Sequence, residues 1–287
     1  MISYNPKEWF TFIFRFHKAD TFRTLLPLII GISIYSGIIV YFIQDYFHLS
    51  DSHHLKNITI MHSMLGFVIS LLLVFRTNTA YDRWWEGRKQ WGALVNNSRN
   101  LALKLSAILE LKEDKLFFKK AIPYYAQALN LHLNDEKISQ ELFEEFNINI
   151  DHKKHKPNQL IKLIMKKIIE LRKANKLTDE QLLFINPEIS AFTDICGACE
   201  RIKNTPIPYS YSVFLKKFIF FYVMTLPFGY VFNLGFYTIP VVIFIFYVLA
   251  SLELIAEEIE EPFGNDENDL PTARIAENIK KNIDEIL

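Results

Sequence analysis

The sequence predicts an all-α membrane protein with four membrane-spanning helices and a helical extension outside the bilayer. Half of the residues are hydrophobic, long stretches carry no charge, and the charged residues cluster between and after those stretches. A helix needs about 20 apolar residues to cross the hydrocarbon core of a bilayer. The mean hydropathy of +0.10 is high for a soluble domain and low for a chain that lies wholly in lipid. We therefore expect apolar spans joined to a charged part.

The first two spans follow from uncharged stretches at 25–43 and 58–75. No proline interrupts 58–98, so the second span is expected to continue as one helix beyond the bilayer. Arginines and tryptophans intermingle from Arg76 onward. Cations and amphipathic rings of this kind anchor at the interface between lipid and water, which places the end of the span near Arg76.

A third uncharged stretch, at 218–252, is too long for one span. Gly235 and Pro240 lie near its middle, and together they indicate a turn. We therefore expect two spans here, at about 213–232 and 237–253, joined by a tight turn outside the cell.

The distribution of positive charge predicts how the spans are oriented. Lys and Arg precede the first span and follow the second, whereas the connection at 44–57 carries a single cation, Lys56. Basic flanks stay on the cytosolic side. With an even number of spans, both termini are expected in the cytosol of a multi-pass protein of the inner or plasma membrane.

The chain is expected to be organised in five segments. The N-terminal segment is predicted to be an amphipathic helix on the membrane surface, or equally a helix packed under the spans. A transmembrane hairpin that includes the long helix, a cytosolic helical region, a second transmembrane hairpin and an acidic cytosolic tail follow. Thr178 and Gln181 form a capping-box pattern that predicts a helix start in the cytosolic region. The five segments are 1–24, 25–76, 77–211, 212–254 and 255–287.

Charge and cysteine content exclude several classes of function. Lys and Arg together number 32, as do Asp and Glu, so no net charge favours nucleic acid as a partner. Cys196 and Cys199 are the two cysteines. They lack the second pair that a structural zinc site requires, and we interpret them as buried helix residues. No pattern typical of a nucleophile with its base, a phosphate-binding loop or paired catalytic carboxylates is apparent, so an enzyme is not expected.

Three motifs in a fixed order carry a family resemblance. They are Phe75-Arg76-Thr77-Asn78 with Tyr81-Asp82-Arg83-Trp84-Trp85-Glu86 and Trp91-Gly92, then Cys199-Glu200-Arg201-Ile202 with Thr205-Pro206-Ile207-Pro208, then Glu261-Pro262-Phe263-Gly264 with Asp266 and Asp269. In this order they resemble the bestrophin family in its bacterial branch, over about residues 9–271. The resemblance implies a homopentamer around a central pore that conducts small inorganic ions across the lipid bilayer.

The resemblance places Phe67, Leu71 and Phe75 at the hydrophobic neck of the pore. These residues lie at i, i+4 and i+8, on one stripe of a helix. In a pentamer each would form an apolar ring, and such rings gate by excluding water. The alternative from the residues alone is ordinary helix packing or lipid contact. Animal relatives imply chloride, but bacterial relatives include channels that prefer cations. The neck carries no ring of charge, so selectivity stays open between anions and monovalent cations.

Two further functional groups follow from the resemblance. Ile185 and Ile189 fall near a second, cytosolic aperture of the family. The acidic turn after the last span corresponds to a calcium-holding segment, which makes a calcium ion the implied cofactor. Hard carboxylate and carbonyl oxygens suit this ion, and the alternative is a solvated acidic tail. The implied calcium ligands are the carboxylates of Asp266 and Asp269, with backbone carbonyls near Glu258 and Glu261 completing the shell.

The signature of the first motif is expected to be structural, holding the long helix and the contacts between subunits. Its members are Arg83, Trp84, Trp85, Glu86 and Trp91.

Alternatives to a channel remain at this point. A secondary transporter would show broken spans with charges inside the membrane, and a membrane scaffold would need no pore. His62, a polar residue inside a span, faces either the pore or a neighbouring helix.

Overall fold

The computed structural model describes residues 21–46, 53–136 and 154–287, and all regular structure in these residues is helical. The prediction of an all-α protein is therefore confirmed for this part of the chain. The predicted N-terminal amphipathic segment, 1–24, lies outside the described residues except for its last four positions.

The described part of the chain contains eight α-helices. A short π-helical stretch, Phe42–Tyr46, follows the first of them, and one 3₁₀ turn, Gly235–Tyr237, separates the sixth from the seventh. The helices are α1 (Thr21–Tyr41), α2 (His53–Ile108), α3 (Lys112–Leu133), α4 (Lys156–Lys173), α5 (Asp179–Asn204), α6 (Tyr209–Leu234), α7 (Thr238–Glu260) and α8 (Thr272–Ile286).

The chain divides into two compact units, and α2 contributes residues to both. The membrane unit contains the described residues of 21–83 and 206–261, that is, α1, the first part of α2, α6 and α7. The second unit contains the described residues of 84–205 and 262–287, that is, the rest of α2 with α3, α4, α5 and α8.

Hydrogen bonds within the membrane unit establish the directions of its helices. The Thr59 hydroxyl of α2 donates to the carbonyl of Gly229, near the end of α6, at 3.1 Å. The Tyr211 hydroxyl, near the start of α6, donates to the carbonyl of Leu72 at 3.1 Å. Helices α2 and α6 are therefore antiparallel.

A tight turn reverses the chain between α6 and α7. Gly235 has φ of +55°, a left-handed conformation that glycine adopts without steric cost. The Lys216 amine of α6 and the Glu257 carboxylate of α7 meet at 2.8 Å, near the ends of the helices that are remote from this turn. The predicted break in the long apolar stretch is therefore present, and the two helices pack side by side.

Three helical segments of the described chain are long and apolar enough to cross a membrane: Thr21–Tyr46, Ile58–Ile108 and Tyr209–Glu260. The last of these includes both α6 and α7. All three contain apolar stretches predicted from sequence. The chain is therefore a membrane protein.

The second unit has a conventional apolar core. Helix α3 packs against α4, α5 and α8, and α4 packs against α5. Trp91, Phe118 and Phe192 are fully buried in this core. Thr178 caps α5 with the predicted capping box, because its hydroxyl accepts the Gln181 N–H while the Gln181 side chain accepts the Thr178 N–H.

Candidate functional site

The three predicted neck residues lie on one exposed face of α2. In the single chain the exposed fractions are 72% for Phe67, 46% for Leu71 and 56% for Phe75. Ile69 and Leu73, which point to the other side of the same helix, are almost completely buried. The helix therefore has one packed face and one apolar face that the single chain leaves uncovered.

The packed face of α2 is fixed by close approach to α6. His62 is fully buried, and its Nε2 lies 3.0 Å from the Thr225 hydroxyl of α6. A Cβ added at Gly66 would lie 2.7 Å from the Tyr222 hydroxyl, so any larger residue at this position would require the Tyr222 ring to move. The structure thus places His62 in a contact between helices, and the alternative that it lines a pore is not supported.

A buried ionic cluster lies one residue beyond the exposed stripe. Arg76 is 1% exposed, and its Nη2 lies 2.6 Å from the Glu260 carboxylate of α7, with Glu253 at 3.5 Å from its Nε. The other oxygen of Glu260 accepts the Ile207 N–H at 2.7 Å. Arg83 adds a bond from its Nε to the Glu260 carbonyl, at 3.0 Å.

Sequence reasoning placed Arg76 at the lipid–water interface and missed this cluster. This buried charge is compensated by the Glu260 carboxylate at its Nη2, while its Nε and Nη1 make no hydrogen bond within the described residues. The cluster fixes α2 to α7 and to the turn before α6 at the end of the apolar stripe. Acidic residues at the end of the last apolar stretch were the available signal, since a buried arginine needs a carboxylate partner.

Signature residues of α2 contact the motif that follows α7, within the second unit. The Trp84 indole N–H donates to the Asn268 carbonyl at 3.1 Å. A Cβ at Gly87 would lie 3.2 Å from side-chain atoms of Pro262, Phe263 and Leu270, so the helix and this segment are in tight contact.

The signature residues Trp85, Glu86 and Trp91 also belong to the second unit. Glu86 pairs with Arg201 of α5 at 2.9 Å, which joins the first and second sequence motifs. Trp91 is fully buried, whereas Trp85 is 45% exposed. Within the single chain, most of the signature therefore makes structural contacts, and Trp85 is free to meet something outside it.

The predicted aperture residues lie in the core of the second unit. Ile185 is fully buried and Ile189 is 4% exposed. A side chain that lines an aperture must face the lumen, whereas in the single chain these two side chains face the core, and their role at an aperture stays a prediction. On the same turn of α5, Leu183 and Phe184 are exposed to 73% and 55%. The apolar spacing alone does not distinguish the core face of a helix from its outer face.

The acidic turn is organised by its own backbone. Asp269 is buried, and one of its carboxylate oxygens accepts the Asp266 N–H at 2.7 Å. Asp266 is exposed, while Glu258 and Glu261 belong to the membrane unit rather than to the unit of this turn. Two carboxylates, one of them engaged with a backbone amide, fall short of the six to eight oxygens that calcium takes. The side chains of the turn thus do not by themselves fit the ion, and calcium binding stays a prediction.

The two cysteines are free and buried in α5. Burial, reinforced by the nearby charge of Glu200, raises the pKa of each thiol to about 12. Thiolates are the reactive form, so both cysteines are chemically inert in the folded unit.

Comparison with known proteins supports the sequence motifs. Residues 1–285 match the family model for bacterial and fungal bestrophin proteins. A voltage-dependent anion channel-forming protein from Nostoc sp. is 39% identical over 228 residues, which cover 76% of this chain and 74% of that protein. Another protein so described, from Escherichia coli, is 28% identical over 284 residues, or 98% of this chain and 92% of that protein.

Solved structures show the same fold. A bestrophin homologue from Klebsiella pneumoniae, solved by Zn-SAD phasing, has a TM-score of 0.77 at 25% identity and covers 91% of this chain and 98% of that one. A variant of that homologue has a TM-score of 0.80 at 24% identity, covering 92% and 98%. Because the family model matches almost the full length of the sequence, this chain belongs to the bacterial and fungal bestrophin family.

Proposed function

We propose that this chain forms an anion channel, as a homopentamer in which α2 of each copy surrounds the central pore. The relatives described as voltage-dependent anion channel-forming proteins support conduction of anions. One observation in the structure carries the role of α2: its uncharged stripe of Phe67, Leu71 and Phe75 is exposed while the opposite face of the helix is packed.

The chemistry of the exposed face favours a protein-lined pathway over lipid. Ser63 and Ser70 share this exposed side of α2, and their hydroxyls donate to the carbonyls of Thr59 and Gly66. Small polar residues are enriched where membrane helices approach one another. Each serine keeps its oxygen lone pairs available to water or to a neighbouring subunit, which a lipid tail cannot use.

The proposed neck controls conduction by excluding water and favours anions weakly. Rings of Phe67, Leu71 and Phe75 around an axis would narrow an apolar tube, in which hydrated ions are disfavoured. Aromatic edges carry positive potential, so the phenylalanine rings can stabilise a partly dehydrated anion. The segment 58–75 has no charged residue, so no fixed charge opposes either sign of ion.

We also propose that the membrane unit crosses the bilayer four times, with both termini in the cytosol. The Thr21 and Ser251 hydroxyls meet at 2.9 Å, which brings the start of α1 close to the later part of α7. At the other end of α1, the Gln44 amide donates to the Val231 carbonyl, near the end of α6. The charge distribution of the flanks supports a cytosolic location for the end that holds Thr21.

The deciding experiment is the reversal potential of the purified full chain in a planar bilayer under a KCl gradient. A reversal potential near the chloride equilibrium potential is expected. A value near the potassium equilibrium potential would keep the channel but remove the anion assignment. No current from the wild type or from the Phe67→Ala/Leu71→Ala/Phe75→Ala variant would favour a scaffold, and coupled uptake without current would favour a transporter. Native mass spectrometry counts the subunits, for which a pentamer is expected.

A further inference from the structure

We infer that His132, His155 and Glu200 form a binding site for a first-row divalent cation, for which Zn²⁺ is the natural probe. His132 is in the last turn of α3, His155 is the N-cap residue of α4, and Glu200 is in α5. All three belong to the second unit. The inference rests on this cluster alone and does not depend on ion conduction.

The three ligand atoms converge on one point. The Nε2 atoms of His132 and His155 lie 2.7 Å and 2.5 Å from the same carboxylate oxygen of Glu200. All three ligand atoms are within 4.8 Å of one another. In a tetrahedral zinc site with bonds of 2.0–2.1 Å, neighbouring ligand atoms are about 3.3 Å apart. Each hydrogen bond therefore needs to open by less than about 1 Å to admit the ion.

The donor set has the chemistry of an open metal site. Two imidazoles and one carboxylate suit zinc and other first-row ions, and three protein ligands leave a position for water. The three side chains are about 30% exposed, so water can reach the fourth position. Among the residues that the structure describes, this is the one group of three or more His, Cys, Asp and Glu side chains with ligand atoms this close together.

Metal binding would be coupled to the start of α4. The Nδ1 of His155 accepts the Asn158 N–H at 3.2 Å, so the imidazole proton is on Nε2, facing Glu200. When the Nε2 lone pair binds the ion, the Nε2–H bond breaks and an Nδ1–H bond forms through solvent, with no change in charge. The Asn158 N–H then loses its acceptor, and the first turn of α4 must adjust.

The test is an isothermal calorimetric titration with ZnCl₂ of the full chain in detergent. A chelator first removes any bound metal from the protein. The variants are His132→Asn, His155→Asn and Glu200→Gln. Asparagine at 155 also keeps an N-cap acceptor, which protects the start of α4. The matched control is Glu86→Gln, which removes a carboxylate paired with Arg201 in the same unit.

We expect the wild type and Glu86→Gln to bind one equivalent of Zn²⁺ that each of the three variants loses or binds at least tenfold more weakly. Circular dichroism verifies that the variants are folded, and His155→Asn decides alone if the others do not purify. The visible spectrum of Co²⁺ bound to the wild type should show tetrahedral coordination. Absence of Zn²⁺ binding, or binding that is equal in all proteins, would show that the cluster is an ion-pair network only and would overturn the inference.

Discussion

The guanidinium of Arg76 lies 2.6 Å from the carboxylate of Glu260, and the two side chains are only 1% and 10% exposed. Through its second oxygen the same carboxylate accepts the Ile207 N–H. One acidic side chain therefore joins α2, α7 and the turn that starts α6. This arrangement fixes α2 at the point where its apolar stripe ends.

Replacement of Glu260 by glutamine is expected to destabilise the membrane unit strongly. Removal of one partner of a buried ion pair typically costs about 3–5 kcal/mol, because the remaining charge is left uncompensated. We expect the lower end of this range, since Glu253 still lies 3.5 Å from Arg76. The thermal unfolding midpoint of Glu260→Gln in detergent measures the effect.

Glu257→Gln is the matched control for that variant. Glu257 is one turn earlier on α7, and its ion pair with Lys216 is about half exposed. Exposed pairs contribute at most about 1 kcal/mol. Equal losses of stability in the two variants would contradict the structural role assigned to Glu260.

Gly66→Ala is expected to disrupt the contact between α2 and α6. The added Cβ would lie 2.7 Å from the hydroxyl of Tyr222, which is 8% exposed and cannot swing freely. Overpacking of this kind costs about 1–3 kcal/mol. Gly31→Ala, where no atom lies within 4 Å of the new Cβ, should be neutral or slightly stabilising. The thermal unfolding midpoints of the two variants measure the difference. Adding Tyr222→Phe, which removes the hydroxyl, should partly restore the midpoint of Gly66→Ala. No recovery in the double variant would contradict the steric account.

Asp114 is expected to make the second unit sensitive to acid. Its carboxylate oxygens form ion pairs with the Nζ atoms of Lys167, at 2.8 Å, and Lys176, at 2.7 Å. Burial acts to raise the pKa of Asp114, but the two lysines outweigh it and lower the pKa. Because the folded pKa is below that of the unfolded chain, about 3.9, the stabilisation is fully present above that pH and is lost as pH falls through the folded value.

Asp114→Asn should therefore destabilise the chain at pH 7 by about 1–3 kcal/mol. The lower end is favoured because Lys176 is 41% exposed and solvent screens part of the attraction. The difference in thermal midpoint from wild type should persist from pH 7 to 5 and shrink below about pH 4. A difference that does not depend on pH would contradict the ionic role. Glu277→Gln, in an exposed pair with Lys281, should leave the midpoint unchanged.

Cys196 and Cys199 should resist alkylation in the folded protein. Both are buried, and the pKa of each is raised to about 12, so almost no thiolate is present near neutral pH. Maleimide at pH 7.5 is expected to label neither until denaturant is added. Ser190→Cys, on an exposed position of the same helix, should be labelled at once. Labelling of the native cysteines in the folded chain would show that α5 opens.

The spans could be predicted from sequence because lipid requires long uninterrupted apolar runs. The break at Gly235 and the capping box at Thr178 were also predictable, since each depends on local backbone chemistry. These features are encoded within a few residues of where they act. Helix existence and order followed from them.

Long-range partners were not predictable in the same way. The carboxylates that pair with the buried Arg76 are in α7, far along the chain, and nothing near Arg76 in the sequence identifies them. Ile185 has the apolar character expected of an aperture residue, yet it belongs to the core of its own unit. His132 and Glu200 are separated by 68 positions, so their meeting with His155 depends on how α3, α4 and α5 pack.

The central claim is that the exposed stripe of α2 faces the ion pathway, and cysteine modification tests it most directly. The native thiols are buried and should not react, so Phe67→Cys introduces the one reactive thiol in the described residues. A negatively charged, water-soluble methanethiosulfonate should reduce the single-channel current of Phe67→Cys in a planar bilayer. The control is Phe244→Cys on α7, because Phe244 is 66% exposed and Phe67 is 72% exposed. The reagent should leave the current of this control variant unchanged. A current that is unchanged in Phe67→Cys, or reduced equally in both variants, would contradict the assignment of α2 as the pore-lining helix.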